Sequence, residues 1–92
     1  MNRGQAQNQN GEPLTLVLYK SDSCFFCLRV FRAIESLGIP VELRDIRQSS
    51  EVRRELVELG GKPQVPCLSV NGRPMYESSD IVTYLQEEVV VV

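Results

Sequence analysis

One change of hydrophobic period, between Tyr19 and Cys27, constrains the fold more than any other feature of this sequence. Leu14 to Tyr19 (LTLVLY) is a short, nearly continuous apolar and β-branched run, the pattern of a strand covered on both faces. From Phe25 to Leu37 the spacing turns helical, with Cys27, Val30, Phe31, Ile34 and Leu37 at i, i+3, i+4, i+7 and i+10. Gly38 supplies a left-handed stop, and Pro40 forbids continuation. A strand handed to a helix across the polar turn Ser21 to Ser23 calls for a sheet with helices packed on it.

The remaining segments extend that plan. Val41 to Ile46 (VELRDI) alternates apolar and polar, as a strand near a sheet edge does. Ser49 or Ser50 can cap a second helix carrying Val52, Leu56 and Leu59, which Gly60 and Gly61 end. Val65 to Val70 is a third strand with Pro66 at its entry, where a missing N–H is tolerated. Asn71-Gly72 then marks a hairpin into Arg73 to Tyr76, because both residues accept positive φ. A last helix opens at Ser78 or Ser79 and runs through Ile81, Val82 and Leu85. The order β-α-β-α-β-β-α predicts an α/β fold with a mixed four-stranded sheet flanked by helices. Its first strand-helix-strand unit is parallel with a right-handed crossover, and its closing hairpin is antiparallel. Residues 1–13, rich in Asn, Gln and Gly, read as a flexible polar leader, which leaves 14–92 as the domain.

Composition narrows the chemistry. With 92 residues, 42% apolar and 24% charged, the chain is sized for one globular domain. Ten basic against twelve acidic side chains, net charge -2, provide no basic run to track phosphates, so nucleic acid is not an expected partner. The longest apolar run, Val89 to Val92, falls far short of the roughly 20 residues that span a bilayer. The opening MNRGQAQNQNGEP has no apolar core of a signal peptide or anchor. A cytoplasmic monomer without a membrane partner is the expectation. Three cysteines and no histidine remove Ser-His-Asp and Cys-His nucleophile pairs and most zinc sites. Three cysteines also cannot build a disulfide framework. What stays open is thiol chemistry without a histidine base, and no metal site is expected.

Cys24-Phe25-Phe26-Cys27 lies where the first strand meets the first helix. With Cys24 as N-cap, its sulfur faces the free N–H groups of Phe26 and Cys27, and the helix dipole adds partial positive charge. Both favour a thiolate, the nucleophilic form. Cys24 is therefore the candidate attacker. Cys27 falls on the buried stripe with Phe31 and Ile34 and suits a resolving thiol. The plainer alternative is a pair of structural cysteines, but a CxxC pair at a strand-helix junction reads as redox.

Two further stretches carry chemistry. A trans Val65-Pro66 bond would be an ordinary edge feature, whereas a cis bond would turn the Val65 backbone outward to pair with an extended peptide-like ligand. Cys67, directly after it, reads as a small buried strand residue. At Glu77-Ser78-Ser79-Asp80, serine capping accounts for the pattern, and free N–H groups at the same helix start can meet a carboxylate. Arg47, Arg53, Arg54, Glu55 and Glu58 read as a solvated helix face.

Taken together, CFFC after the first strand, QVP before the third and ESSDI at the last helix resemble the glutaredoxins and the thioredoxin-like N-terminal domain of glutathione transferases. The resemblance covers residues 14 to about 88. It implies a thioredoxin-like (glutaredoxin) fold, glutathione as co-substrate, and a cis peptide at Val65-Pro66. It also implies that Cys24 is the nucleophile and Cys27 the resolving thiol, with Val65 pairing its backbone with the cysteinyl part of glutathione. Gln64 would approach the glycine end, and Glu77 and Ser78 would hold the γ-glutamyl end. The sequence departs from the family in three places. Phe25 and Phe26 stand where glutaredoxins usually carry Pro-Tyr, and Ser21 stands where they carry a basic residue, with Lys20 one place earlier. Glu77-Ser78-Ser79-Asp80 is closer to the transferases. The function implied is a glutathione-dependent thiol-disulfide oxidoreductase acting on protein-glutathione mixed disulfides or protein disulfides. A stand-alone transferase is not expected, since its electrophile pocket normally needs a helical second domain. Two alternatives are a glutathione-binding or interaction module with little turnover, and an iron-sulfur cluster carrier.

Overall fold

A computed structural model describes residues 4–92. Its elements are β1 (Ala6–Gln7), β2 (Leu16–Lys20), α1 (Phe25–Leu37), β3 (Glu42–Asp45), α2 (Ser50–Gly60), β4 (Cys67–Val70), β5 (Arg73–Met75), α3 (Ser78–Glu87) and β6 (Val90–Val91). The main sheet has the order β3-β2-β4-β5. β2 and β3 run parallel, and β2-β4 and β4-β5 run antiparallel. The mixed four-stranded sheet and the three helices follow the order read from the sequence.

The near-continuous apolar character of β2 has a direct structural cause. Leu16 and Leu18 face one layer, with Val30 of α1, Leu68 of β4, and Ile81 and Leu85 of α3. Val17 and Tyr19 face the other, with Leu56 of α2 and Cys67. Leu18, Leu68 and Ile81 are fully enclosed, and each such side chain contributes about 1.5–3 kcal/mol of apolar burial. The sheet is thereby fixed between α1/α3 and α2, with the β2-α1 junction at one end.

Local signals set the helix ends. Gly38 (φ 66°) caps α1, its N–H bonding Glu35 and Ile34 carbonyls. The Ser49 side chain accepts from the Glu51 N–H at the start of α2. In α3 the expectation of serine capping is corrected: Ser78 and Ser79 are its first helical residues, and the N-cap is Glu77, whose side chain makes no cap bond. Among the described residues no helix is long and apolar enough to cross a membrane.

The stretch before Leu14 contains structure that its polar composition hid. β1 pairs antiparallel with β6, placing Ala6 opposite Val91 and Gln7 opposite Val90. Ala6 is buried in the same core cluster as Leu16 and Leu85. The terminal valines thus pair with β1 and not with the main sheet, and Val90, Val91 and Val92 are exposed.

Candidate thiol site

After β2 the chain turns so that the Cys24 N–H reaches the Ser21 carbonyl at 3.0 Å. Cys24 is the N-cap of α1 in extended geometry, and its sulfur accepts from the Cys27 N–H at 3.3 Å. The bond expected from the Phe26 N–H is not made. A helix-start N–H aimed at sulfur, together with the helix dipole, stabilises negative charge there. The Cys24 thiol also donates to the Val65 carbonyl at 3.7 Å. Cys24 is half-buried, whereas Cys27 and Cys67 are buried, and all three are free thiols. Burial, and then the hydrogen bond to Cys24, push the Cys27 thiol up to about 12. The pair is therefore asymmetric, with one sulfur partly accessible and the other enclosed and held as a neutral thiol.

The Val65-Pro66 peptide is cis. Beside it, a cleft of about 170 Å³ brings together Gln64, Val65, Pro66, Glu77 and Ser78. All five ligand-contact candidates from the sequence therefore meet in one place. Phe26 of the CFFC motif and Tyr76, neither of them a ligand-contact candidate from the sequence, complete the wall. Tyr76 donates its hydroxyl proton to the Lys62 carbonyl at 3.0 Å, and the Lys62 ammonium lies 4.6 Å from its ring centroid. Gly60 makes this placement possible, because a Cβ there would collide with the Tyr76 ring. The signal was the doubled glycine at 60–61: only Gly61, with φ 88°, is the helix cap.

The basic residues near the site depart from the sequence expectation. Arg47 is not on the α2 face but in the loop before it, and its guanidinium donates to the Ser23 hydroxyl at 2.8 Å. Ser23 immediately precedes Cys24. Glu55 likewise is not simply solvated: it accepts from the Tyr19 hydroxyl at 2.7 Å and from Arg44 at 3.0 Å. Lys20 pairs with Asp22 at 2.6 Å and Asp45 at 3.4 Å, so two carboxylates already meet its charge. Cys67 sits on the α2 side of the sheet, its thiol raised above the ordinary value by burial.

Residues 18–90 match the family described as glutathione S-transferase, N-terminal domain. Among solved structures, glutathione transferase Omega 3C from Trametes versicolor is 25% identical with a TM-score of 0.69, over 77% of this chain and 32% of its own. A delta-class glutathione transferase from Nilaparvata lugens is 28% identical with a TM-score of 0.64, over 76% of this chain and 34% of its own. Buckwheat glutaredoxin, solved as a glutathione complex, is 20% identical with a TM-score of 0.65, over 79% of this chain and 69% of its own. The last likeness is one of fold. This chain spans about a third of the length of the two transferases. No curated protein matches it.

Proposed function

As this chain belongs to the glutathione S-transferase N-terminal domain family, we propose that it is a glutathione-dependent thiol-disulfide oxidoreductase with Cys24 as nucleophile. The observation that carries this is the placement of the Cys24 sulfur. It takes an N–H bond from the helix start and stands 3.7 Å from the Val65 carbonyl, at the edge of the cleft that gathers Gln64, Glu77 and Ser78.

Glutathione lies extended along the cleft. Val65 pairs its backbone with the cysteinyl unit, as a strand added to a sheet edge would. Glu77 and Ser78 hold the γ-glutamyl end, where the ammonium meets the Glu77 carboxylate and the carboxylate meets the α3 start. Gln64 meets the glycine end. In the first step the Cys24 thiolate attacks the glutathione sulfur of a protein-glutathione mixed disulfide. The Cys24-glutathione bond forms, the bond to the protein sulfur breaks, and that sulfur leaves with the electron pair and takes up a proton. A second glutathione, as thiolate, then attacks the bound glutathione sulfur and yields glutathione disulfide and the free Cys24 thiolate. The mixed disulfide and one glutathione thereby give a protein thiol and glutathione disulfide. The protein sulfur is reduced, the incoming glutathione sulfur is oxidised, and the first glutathione sulfur stays at the disulfide level throughout. The enclosed Cys27 is a slow competitor for that second step, so the monothiol route dominates.

The test is deglutathionylation of a small mixed disulfide by wild type, Cys24→Ser and Cys27→Ser. Turnover should vanish in the first variant and persist in the second. Wild-type activity in Cys24→Ser would overturn the assignment.

A further inference from the structure

Beside Cys24, and sharing no lining residue with the Val65 and Glu77 cleft, lies a second cavity, of about 270 Å³, lined by Asp22, Ser23, Cys24, Phe25, Leu28 and Phe31. It continues along α1 into a groove of about 450 Å³ that shares Leu28 and Phe31 and is closed by Ile34 and by Leu43 of the edge strand β3. Its apolar walls are open to water: Phe25 is 79% exposed, Leu28 44% and Leu43 51%. Contiguous exposed apolar surface marks an interaction site. The one cation in the groove, Lys20, is paired with Asp22 and Asp45, and Glu35 is the other charged group on the wall, so an apolar occupant is favoured over an anionic one.

The sulfur decides which occupant. Cys24 is part of the wall, so a stably docked second copy would cover the nucleophile. The partner must instead come and go, carrying the bond that Cys24 attacks. During that attack glutathione fills the Val65 and Glu77 side. The leaving sulfur stands roughly 5 Å from Cys24, a non-bonded approach plus one S–S length. The polypeptide that bears it is left the Phe25 and Leu28 side. We propose that this groove docks the protein substrate: a polypeptide segment with large apolar side chains, of the Leu or Phe class, flanking its glutathionylated cysteine. This rests on the oxidoreductase function above and leaves its bond changes as written. It adds selection among mixed disulfides.

The experiment compares a glutathionylated peptide with Leu and Phe flanks, the same peptide with Ser flanks, and the mixed disulfide of glutathione with cysteamine. The apolar peptide should show a KM lower than its Ser counterpart by about tenfold, the value of one partly buried apolar side chain. That ratio should fall toward one in Leu28→Ser and in Leu43→Ser, two exposed positions on different elements, with folding checked by circular dichroism. Equal KM values for both peptides, with the cysteamine compound still reduced, overturn the groove and leave the oxidoreductase standing. A preference that survives in the Leu28→Ser, Leu43→Ser double variant overturns it as well, and so does a dimer in sedimentation that either change abolishes. Failure to reduce any of the three substrates overturns both proposals.

Discussion

Cys27 offers a quantitative test of how the fold divides labour between two cysteines three residues apart. Burial, with the hydrogen bond to Cys24 as the second cause, raises its thiol from 9.0 to about 12. Near pH 8 that rise cuts the thiolate fraction about 1000-fold. The more basic thiolate is a better nucleophile, which returns about 15- to 30-fold. Ionisation alone should therefore slow alkylation of Cys27 by about 30- to 60-fold relative to the unfolded chain, and its 0% exposure slows it further. The perturbation is iodoacetamide, applied near pH 8 in native buffer and in concentrated guanidinium, with peptide mass mapping to follow each cysteine. In native buffer Cys24 should react first. Cys27 should lag by at least the factor above, its rate rising about tenfold per pH unit through pH 10 and 11. A plateau below pH 10, or equal rates in folded and unfolded protein, would refute the reasoning. The same rise fixes a stability term. Between 9.0 and about 12 the folded state holds a proton that the unfolded state has released. Stability is thus fully retained below pH 9 and falls by about 1.4 kcal/mol per pH unit above it. Urea denaturation of wild type against Cys27→Ala isolates this slope from that of Tyr19, whose hydroxyl burial and Glu55 also raise to about 12.

Leu18→Ala removes a fully buried side chain from the central strand and should lower unfolding free energy by about 2–5 kcal/mol in urea titration; a loss under about 1 kcal/mol would contradict the packing described. Gly60→Ala should displace Tyr76 from the cleft wall and weaken glutathione binding about tenfold by calorimetry, whereas the same change in a Tyr76→Ala background should cost little. Additive effects of the two changes would argue against the contact. Glu77→Gln should weaken glutathione binding by about tenfold or more through loss of a charged hydrogen bond, with the iodoacetamide rate at Cys24 as an unaffected control; unchanged affinity would remove Glu77 from the site.

Strong periodicity and unambiguous punctuation made much of this structure legible. α1 occupies Phe25–Leu37 because its apolar repeat and Gly38 agree, and the Asn71-Gly72 turn has both residues at positive φ as its dipeptide requires. That Gln64, Val65, Glu77 and Ser78 share one cleft accords with the family resemblance, which implied a common ligand for them, and was not readable from composition or period alone. The cis geometry at Val65 was less accessible, because a Val-Pro dipeptide permits both isomers and the surrounding fold selects one. The α3 cap was misplaced by one or two residues, since the adjacent Ser78 and Ser79 fit the local preference equally and the N-cap is Glu77. β1 and β6 have two residues each, too few for any period. Ala6 therefore looked like the Gln and Asn residues around it. Arg47 reaches Ser23 in a distant segment, a contact that composition and spacing do not encode, and the doubled glycine at 60–61 was the one trace of the Tyr76 contact with Gly60.

The pairing of β1 with β6 joins the ends of the described chain, and its contacts have the largest sequence separation in the fold. Closing so long a loop carries the greatest entropic cost, and two-residue strands return little for it. This clasp is therefore expected to be among the last contacts to form as the chain folds and the first to open. The Cys24 site draws on β2, α1, β4 and α3, none of which waits for it. Amide hydrogen exchange should accordingly be rapid at Gln5 and Val92 and slow at Leu18 and Leu68. Fraying at the ends then leaves the elements around Cys24 folded.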